Sequence, residues 1–211
     1  MWDLDGTLVD SAEMHYQSWI SAFSDHSIPF DRNLFTRTFG MNNHSIITTV
    51  LQNPPVDLLE RISERKEILY RLMIPTQLRL FPGVLDWLNR LKDRAIPMAV
   101  ASSAPHQNIA DSLHTLQIGA YFQAIVSVFG RPGKPDPLVF LEAAQALRMP
   151  PERCVVVEDA IAGIEAARRA GMKSLAVLTT NSPQALSQAD QIIERLDLLP
   201  PHAFDCLVAS N

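Results

Sequence analysis

Cys154-Val155-Val156-Val157-Glu158-Asp159-Ala160-Ile161-Ala162-Gly163-Ile164 is the stretch whose reading decides the fold. Its opening apolar residues, three of them β-branched, read as a short buried strand headed by a buried thiol. Two acids end that strand. A helical pattern then runs from Ile161 to Ala170, with Arg168 and Arg169 at the negative end of the helix dipole and Gly171 where a C-terminal cap belongs. A strand without polar alternation needs cover on both faces, which is the setting of a parallel sheet.

The same unit recurs outward from this stretch. Pro97-Met98-Ala99-Val100-Ala101, Ala124-Ile125-Val126-Ser127-Val128 and Ser174-Leu175-Ala176-Val177-Leu178 read as further strands, and Val84 to Arg94, His106 to Leu116 and Pro137 to Leu147 as helices. Strand–helix alternation predicts an α/β fold with a doubly wound, Rossmann-like parallel sheet. Residues 11–79 break the rhythm. Ala12 to Ser24, Leu34 to Phe39, Ser45 to Leu51 and Val56 to Met73 read as helices, with no convincing strand among them. The expected organisation is therefore an α/β core of residues 1–10 and 80–211 with a helical domain, 11–79, inserted after the first strand. Phe81-Pro82-Gly83 returns the chain to the core. The tail after Pro200 is weakly patterned and is expected to be loosely held.

With 211 residues, 47% of them hydrophobic and 19% charged, the chain can bury a full core. A formal charge of -5 without a basic stripe argues against a nucleic-acid partner. The two cysteines, Cys154 and Cys206, form neither a disulfide framework nor metal-ligand spacing, so a reducing cytoplasm is the expectation. The start is acidic within three residues and lacks the basic region of a signal peptide. No run reaches the roughly 18 apolar residues of a membrane span, so no membrane partner is expected.

Four clusters carry candidate chemistry. In Asp3-Leu4-Asp5-Gly6-Thr7, two carboxylates two residues apart project to one side of a strand end, and Gly6 permits a sharp turn after them. One acid can attack phosphorus while the other handles a proton, although Asp and Gly together ordinarily mean an Asx-rich turn. Ser102-Ser103 follows a strand, where hydroxyls and backbone N–H groups can hold a phosphoryl oxygen, or where Ser merely caps a helix. Lys134 sits in Gly130-Arg131-Pro132-Gly133-Lys134-Pro135-Asp136-Pro137, whose prolines stiffen the loop around one cation. Glu158-Asp159 ends a buried strand, where two acids are costly without a cation; oxygen ligands suit Mg²⁺, and helix capping by Asp159 is compatible with that. Each cluster alone is ambiguous. Together they occupy the C-terminal ends of predicted strands, where open α/β sheets bind ligands.

In this order and spacing the clusters resemble the haloacid dehalogenase superfamily, and more narrowly its β-phosphoglucomutase-like phosphatases with a helical cap. The resemblance covers Trp2 to about Asp190. It implies that Asp3 is the nucleophile that becomes phosphorylated and Asp5 the general acid/base, with the Asp5 carbonyl as a metal ligand. It implies that Ser102 binds the transferring phosphoryl group and that Lys134 offsets charge on Asp3 and phosphate. Asp159 matches the direct Mg²⁺ ligand and Glu158 a second or outer one. In the cap, His15 resembles a residue that couples the cap to Asp5. Thr38-Phe39-Gly40-Met41-Asn42-Asn43 resembles the loop that reads substrate, and Arg65-Lys66 a basic pair on a later helix. Gly40, Asn43, Lys66, His15 and Ser103 are accordingly the expected substrate contacts. A small phosphorylated metabolite is the expected partner, and a monomer the expected state.

Two departures from the family pattern stand out. Where a mutase carries an arginine for a second phosphate, this chain has the neutral Asn43, which favours a phosphatase over a phosphosugar mutase. Only Met1 and Trp2 precede Asp3, where the family has a full apolar strand, so that strand is expected to begin further upstream. A non-catalytic binding protein on the same fold is the alternative from another class; the intact motif positions argue against it. Dehalogenation is disfavoured by the acidic pair, which serves a metal.

Overall fold

The computed structural model describes residues 1–209. In chain order the elements are β1 (Val9–Asp10), α1 (Ala12–Ser24), α2 (Arg32–Thr38), α3 (Asn43–Leu51), α4 (Val56–Gln77), β2 (Arg79–Leu80), α5 (Val84–Asp93), β3 (Ala99–Ser102) and α6 (His106–Thr115). There follow β4 (Ala124–Ser127), α7 (Leu138–Leu147), β5 (Val155–Glu158), α8 (Ile161–Arg169), β6 (Lys173–Val177), β7 (Gln191–Ile193) and α9 (Ala203–Ala209). The chain divides into two compact units, Met1–Asp10 with the chain from Arg79 onward, and Ser11–Leu78.

In the first unit the segment around Trp2 is the middle of the sheet. Trp2 bridges in parallel to Val100 on one side and Val157 on the other. Its N–H donates to the Ala99 carbonyl at 2.9 Å, and the Asp3 N–H donates to Val157 at 3.1 Å. β3 pairs in parallel with β4, β5 with β6, and β6 with β7. The order is thus β4, β3, the Trp2 segment, β5, β6, β7, with successive crossovers running to opposite sides of the first strand. This is the doubly wound parallel sheet expected from the sequence.

Strand alternation divides the burial between two faces. Met1, Ala99, Ala101 and Val156 pack with Val139, Phe140 and Ala143 of α7 and Ala166 and Ala167 of α8. On the other face the Trp2 ring lies 6.2 Å from Phe204 of α9, which in turn lies 5.1 Å from Trp87 of α5. From Ala203 to Leu207 the chain is therefore not loosely held. Ala203, Phe204 and Leu207 form one buried stripe, and each large apolar side chain so buried contributes about 1.5–3 kcal/mol. A stripe of three residues in one short helix is too little for a periodic signal. The antiparallel pair β1–β2, Val9 opposite Leu80 and Asp10 opposite Arg79, closes the exit and return of the chain.

The second unit is all helix. Trp19, Phe23, Phe30, Phe35, Ile46, Ile47 and Ile62 form its core. Asp31 caps α2 by accepting from the Leu34 N–H at 2.7 Å, and Asn42 caps α3 by accepting from Ser45 at 2.9 Å. α4 runs on to Gln77, beyond the Met73 end read from sequence, with Pro75 inside it. Ile74 and Leu78, both buried, hold this last turn in place despite the donor that proline lacks.

Candidate active site

Parallel pairing in register brings the strand ends to one edge of the sheet. Asp3 follows Trp2, Ser102 ends β3, and Glu158 ends β5 with Asp159 next. Asp3, Glu158 and Asp159 are all buried, and an oxygen of each lies within 4.8 Å of the others. Lys134 reaches this group: its ammonium donates to Asp3 Oδ1 and, at 2.6 Å, to Glu158 Oε1. The second Glu158 oxygen accepts the backbone N–H groups of Asp159 and Ala160, each at 2.9 Å.

Three buried carboxylates thus face one ammonium, and the titration of Asp3, Asp159 and Lys134 reflects it. Burial raises the Asp3 carboxyl well above its usual range. Lys134 opposes that shift, and the Glu158 and Asp159 charges add to it. Burial and then the Glu158 charge push Asp159 up to about 7, against hydroxyl donors and Lys134. Burial by itself lowers the Lys134 ammonium, but the Asp3 and Glu158 charges outweigh it and hold it above its ordinary range. An oxygen-only set short of positive charge fits a hard divalent cation such as Mg²⁺.

Backbone geometry leaves no slack around these acids. Gly6 has φ 89°, and a Cβ there would overlap the Asp159 carboxylate. A Cβ on Gly163, in the first turns of α8, would overlap the Glu158 carboxylate. The Thr7 hydroxyl donates to Asp159 Oδ1 at 2.9 Å. The loop after β6 closes over the same residues: Thr179 donates to the Gly6 carbonyl, Thr180 to Asp159 Oδ2, and Asn181 Nδ2 to the Asp159 carbonyl at 2.9 Å. Sequence reasoning gave Thr179, Thr180 and Asn181 no role. The available signal was their place, three polar residues directly after an apolar strand.

The remaining motif residues of this unit lie beside that group. Asp5, half-buried, bridges through its backbone to Val9, and its side chain stands outside the Asp3–Glu158–Asp159 set. The Ser102 hydroxyl accepts from the Ala104 N–H at 3.0 Å. Ser103 adjoins the lysine loop, since a Cβ on Gly133 would stand 3.4 Å from its hydroxyl. That loop is fastened to α7 by Arg131, which donates to both Glu142 oxygens at 2.7 and 2.8 Å and to the Ser127 carbonyl at 2.8 Å. Asp136 completes the hold by accepting from the Leu138 N–H at 2.9 Å.

The candidate residues of the helical unit form a second polar group. Lys66 and Glu67 are buried, and Lys66 Nζ donates to Glu67 Oε1 at 2.8 Å. Asn43 Nδ2 donates to the same oxygen at 2.7 Å and to Ser63 at 2.9 Å. Lys66 also lies 5.5 Å from the Trp19 ring and 5.2 Å from Tyr70. His15 stacks on Tyr70 at 4.3 Å. Gly40, exposed, takes φ 87° and turns the chain between α2 and α3. Arg65 lies apart from this group and pairs with Asp25 at 2.7 Å on the surface.

The chain is 32% identical over 206 residues to the chloroplastic 5-amino-6-(5-phospho-D-ribitylamino)uracil phosphatase of Arabidopsis thaliana, covering 94% of this chain but only 54% of that protein. It is 32% identical over 204 residues to the β-phosphoglucomutase of Bacillus subtilis, covering 92% of this chain and 88% of the relative. The crystal structure of β-phosphoglucomutase from Clostridium difficile superposes with a TM-score of 0.87 at 24% identity, over 99% of this chain and 96% of that one, a likeness of fold. The family model for haloacid dehalogenase-like hydrolases matches residues 1–177, and to that family the chain belongs.

Proposed function

We propose that the protein is a Mg²⁺-dependent phosphatase that hydrolyses a small phosphomonoester, a sugar phosphate or similar metabolite, through an aspartyl-phosphate on Asp3. The observation that carries this reading is the buried set of three carboxylates around one lysine. In the reaction, an Asp3 oxygen bonds to phosphorus as the bond to the leaving oxygen breaks, and Asp5 gives that oxygen its proton. Asp5 then takes a proton from a water that attacks the aspartyl-phosphate, which frees inorganic phosphate and restores Asp3. Lys134 offsets charge on Asp3 and on the phosphoryl oxygens, and the Ser102 hydroxyl binds one of those oxygens, with Ser103 beside it. Asp3, Asp159, Glu158 and the Asp5 carbonyl would hold Mg²⁺, whose charge keeps the carboxylates ionised and steadies the phosphoryl oxygens. Two free cysteines, Cys154 and Cys206, suit a reducing cytoplasm, and we take the working form to be a monomer.

The helical unit, in this reading, is the cap, and His15, Gly40, Asn43 and Lys66 select the part of the substrate that is not transferred. Lys66 already has its charge matched by Glu67, and Asn43 is neutral, so the group suits hydroxyls better than a second phosphate. A phosphosugar mutase is the second reading, favoured by the 32% identity to the Bacillus mutase. Incubation with β-glucose 1-phosphate and Mg²⁺ separates them. The expected result is phosphate release that does not depend on a bisphosphate activator. Formation of glucose 6-phosphate faster than phosphate release would reject the phosphatase.

A further inference from the structure

Each carboxylate of the buried set is held in a different way. Asp3 receives the Lys134 ammonium; Glu158 receives the same ammonium and two backbone N–H groups. Asp159 instead receives hydroxyls, Thr7 on Oδ1 at 2.9 Å and Thr180 on Oδ2. The distinction matters to a cation. An ammonium bonded to a carboxylate cancels its charge and competes with a metal. A hydroxyl orients the carboxylate, leaves its charge whole and leaves lone pairs on both oxygens.

The hydroxyl of Thr180 is itself oriented. Asn181 Nδ2 donates to Thr180 Oγ1 at 3.1 Å, which turns the Thr180 proton away from the amide and toward Asp159. The same amide donates to the Asp159 carbonyl at 2.9 Å, and Thr179 donates to the Gly6 carbonyl. Parallel pairing of β5 with β6 delivers this tripeptide to the strand end beside Asp159. The tripeptide thereby ties the Asp3–Thr7 turn to the end of β5.

From this geometry we infer that Thr180 is the positioning residue of the cation site, fixing the Asp159 carboxylate, with Asn181 orienting its hydroxyl and Thr179 fastening the Gly6 turn. The inference rests on the Mg²⁺ reading above. Groups that orient a metal ligand without touching the metal commonly govern affinity by about 10–100-fold.

The test compares the full chain with Thr180→Val, which keeps shape and removes the hydroxyl, and Thr180→Ser, which restores it. Mg²⁺ affinity is measured by calorimetry without substrate, together with the rise in melting temperature on adding Mg²⁺. Thr180→Val should bind Mg²⁺ about tenfold or more weakly, and Thr180→Ser should return to within about threefold of the parent. At saturating Mg²⁺, KM for 4-nitrophenyl phosphate should stay unchanged in both. Asn181→Ala, which leaves the hydroxyl but not its orienting amide, should show a smaller loss and serves if Thr180→Val does not fold. Equal Mg²⁺ affinity in the parent and in the folded variants, or failure of serine to restore it, overturns the inference alone. A parent chain that binds no Mg²⁺ overturns the metal reading and this inference with it.

Discussion

The α/β unit and the helical unit each bury a charged group, and the two are built on opposite accounts of charge. Around Lys134, three carboxylates face one ammonium, and burial with mutual repulsion raises Asp3 and Asp159. Around Lys66, one carboxylate meets one ammonium and an amide. Burial pushes the Glu67 carboxyl up, but Lys66, Asn43 and His15 together bring it below its ordinary value. The balanced group satisfies itself within the fold. The unbalanced group is stable only with protons or a cation added. An excess of one sign in a buried place, more than burial as such, therefore separates a site waiting for a ligand from a polar knot in a core.

The largest effect that tests this contrast comes from removing one charge of the unbalanced set. Asp3→Asn should lower phosphatase turnover by about a thousandfold or more, since it removes the proposed nucleophile. In chelator its melting temperature should nonetheless rise, because the neutral amide replaces a carboxylate held above its usual pKa. An active Asp3→Asn enzyme would end the covalent mechanism; an inactive one that melts lower would end the charge-excess argument.

Proton and metal should also compete for Asp159. With its carboxyl near pH 7, Mg²⁺ affinity should fall by about tenfold per pH unit below that value. Without metal, folding stability moves with pH in the opposite direction. The folded chain holds this proton more tightly than the unfolded one, so in chelator the Asp159 contribution to stability is full below the unfolded value of 3.8 and is lost as pH rises through about 7. Calorimetric titrations at several pH values read the first effect, and thermal melts with chelator the second. A pH-independent affinity would break the assignment.

The smallest effect belongs to the balanced group, with the opposite sign. Glu67→Gln keeps the shape but leaves Lys66 without its counter-charge, so stability should fall by about 1–3 kcal/mol. The parent pair should lend stability above the unfolded Glu value of 4.5 and lose it as pH falls through the lowered folded value. Chemical denaturation of the full chain at neutral pH reads the change. A stabilised Glu67→Gln would mean that the helical unit too carries an unbalanced charge.

How much of this was legible in the sequence follows from the range of each signal. The strand ends were legible, because apolar runs of four or five residues followed by acids or serines carry their meaning locally. α1 was legible to the residue, from Ala12 to Ser24, because an amphipathic pattern fills all of it. The two-residue strands β1 and β2 were not, since two residues have no period. The extension of α4 past Pro75 was not, because tertiary burial of Ile74 and Leu78 outweighs the local penalty. The contact of Lys66 with its sequence neighbour Glu67 was equally hidden. Adjacent positions do not face each other on a helix, and only the surrounding rings and Asn43 bring the two charged ends together. Thr180 lay in plain view at a strand end, but its meaning depends on β6 lying beside β5.

The clearance around the two glycines bears on how this sequence can drift. Every non-synonymous change in a glycine codon other than a stop adds at least one carbon. At Gly163 that carbon would take the space of the Glu158 carboxylate, and at Gly6 that of Asp159. Both positions are therefore cold spots in the mutational map of the protein, although neither residue has a side chain with which to do chemistry. A tolerance scan read without coordinates would file them with the acids. Variation between lineages should instead accumulate at Gly119, exposed and without a positive φ, where an added carbon would meet only ordinary contact, 3.9 Å from the Leu113 Cβ.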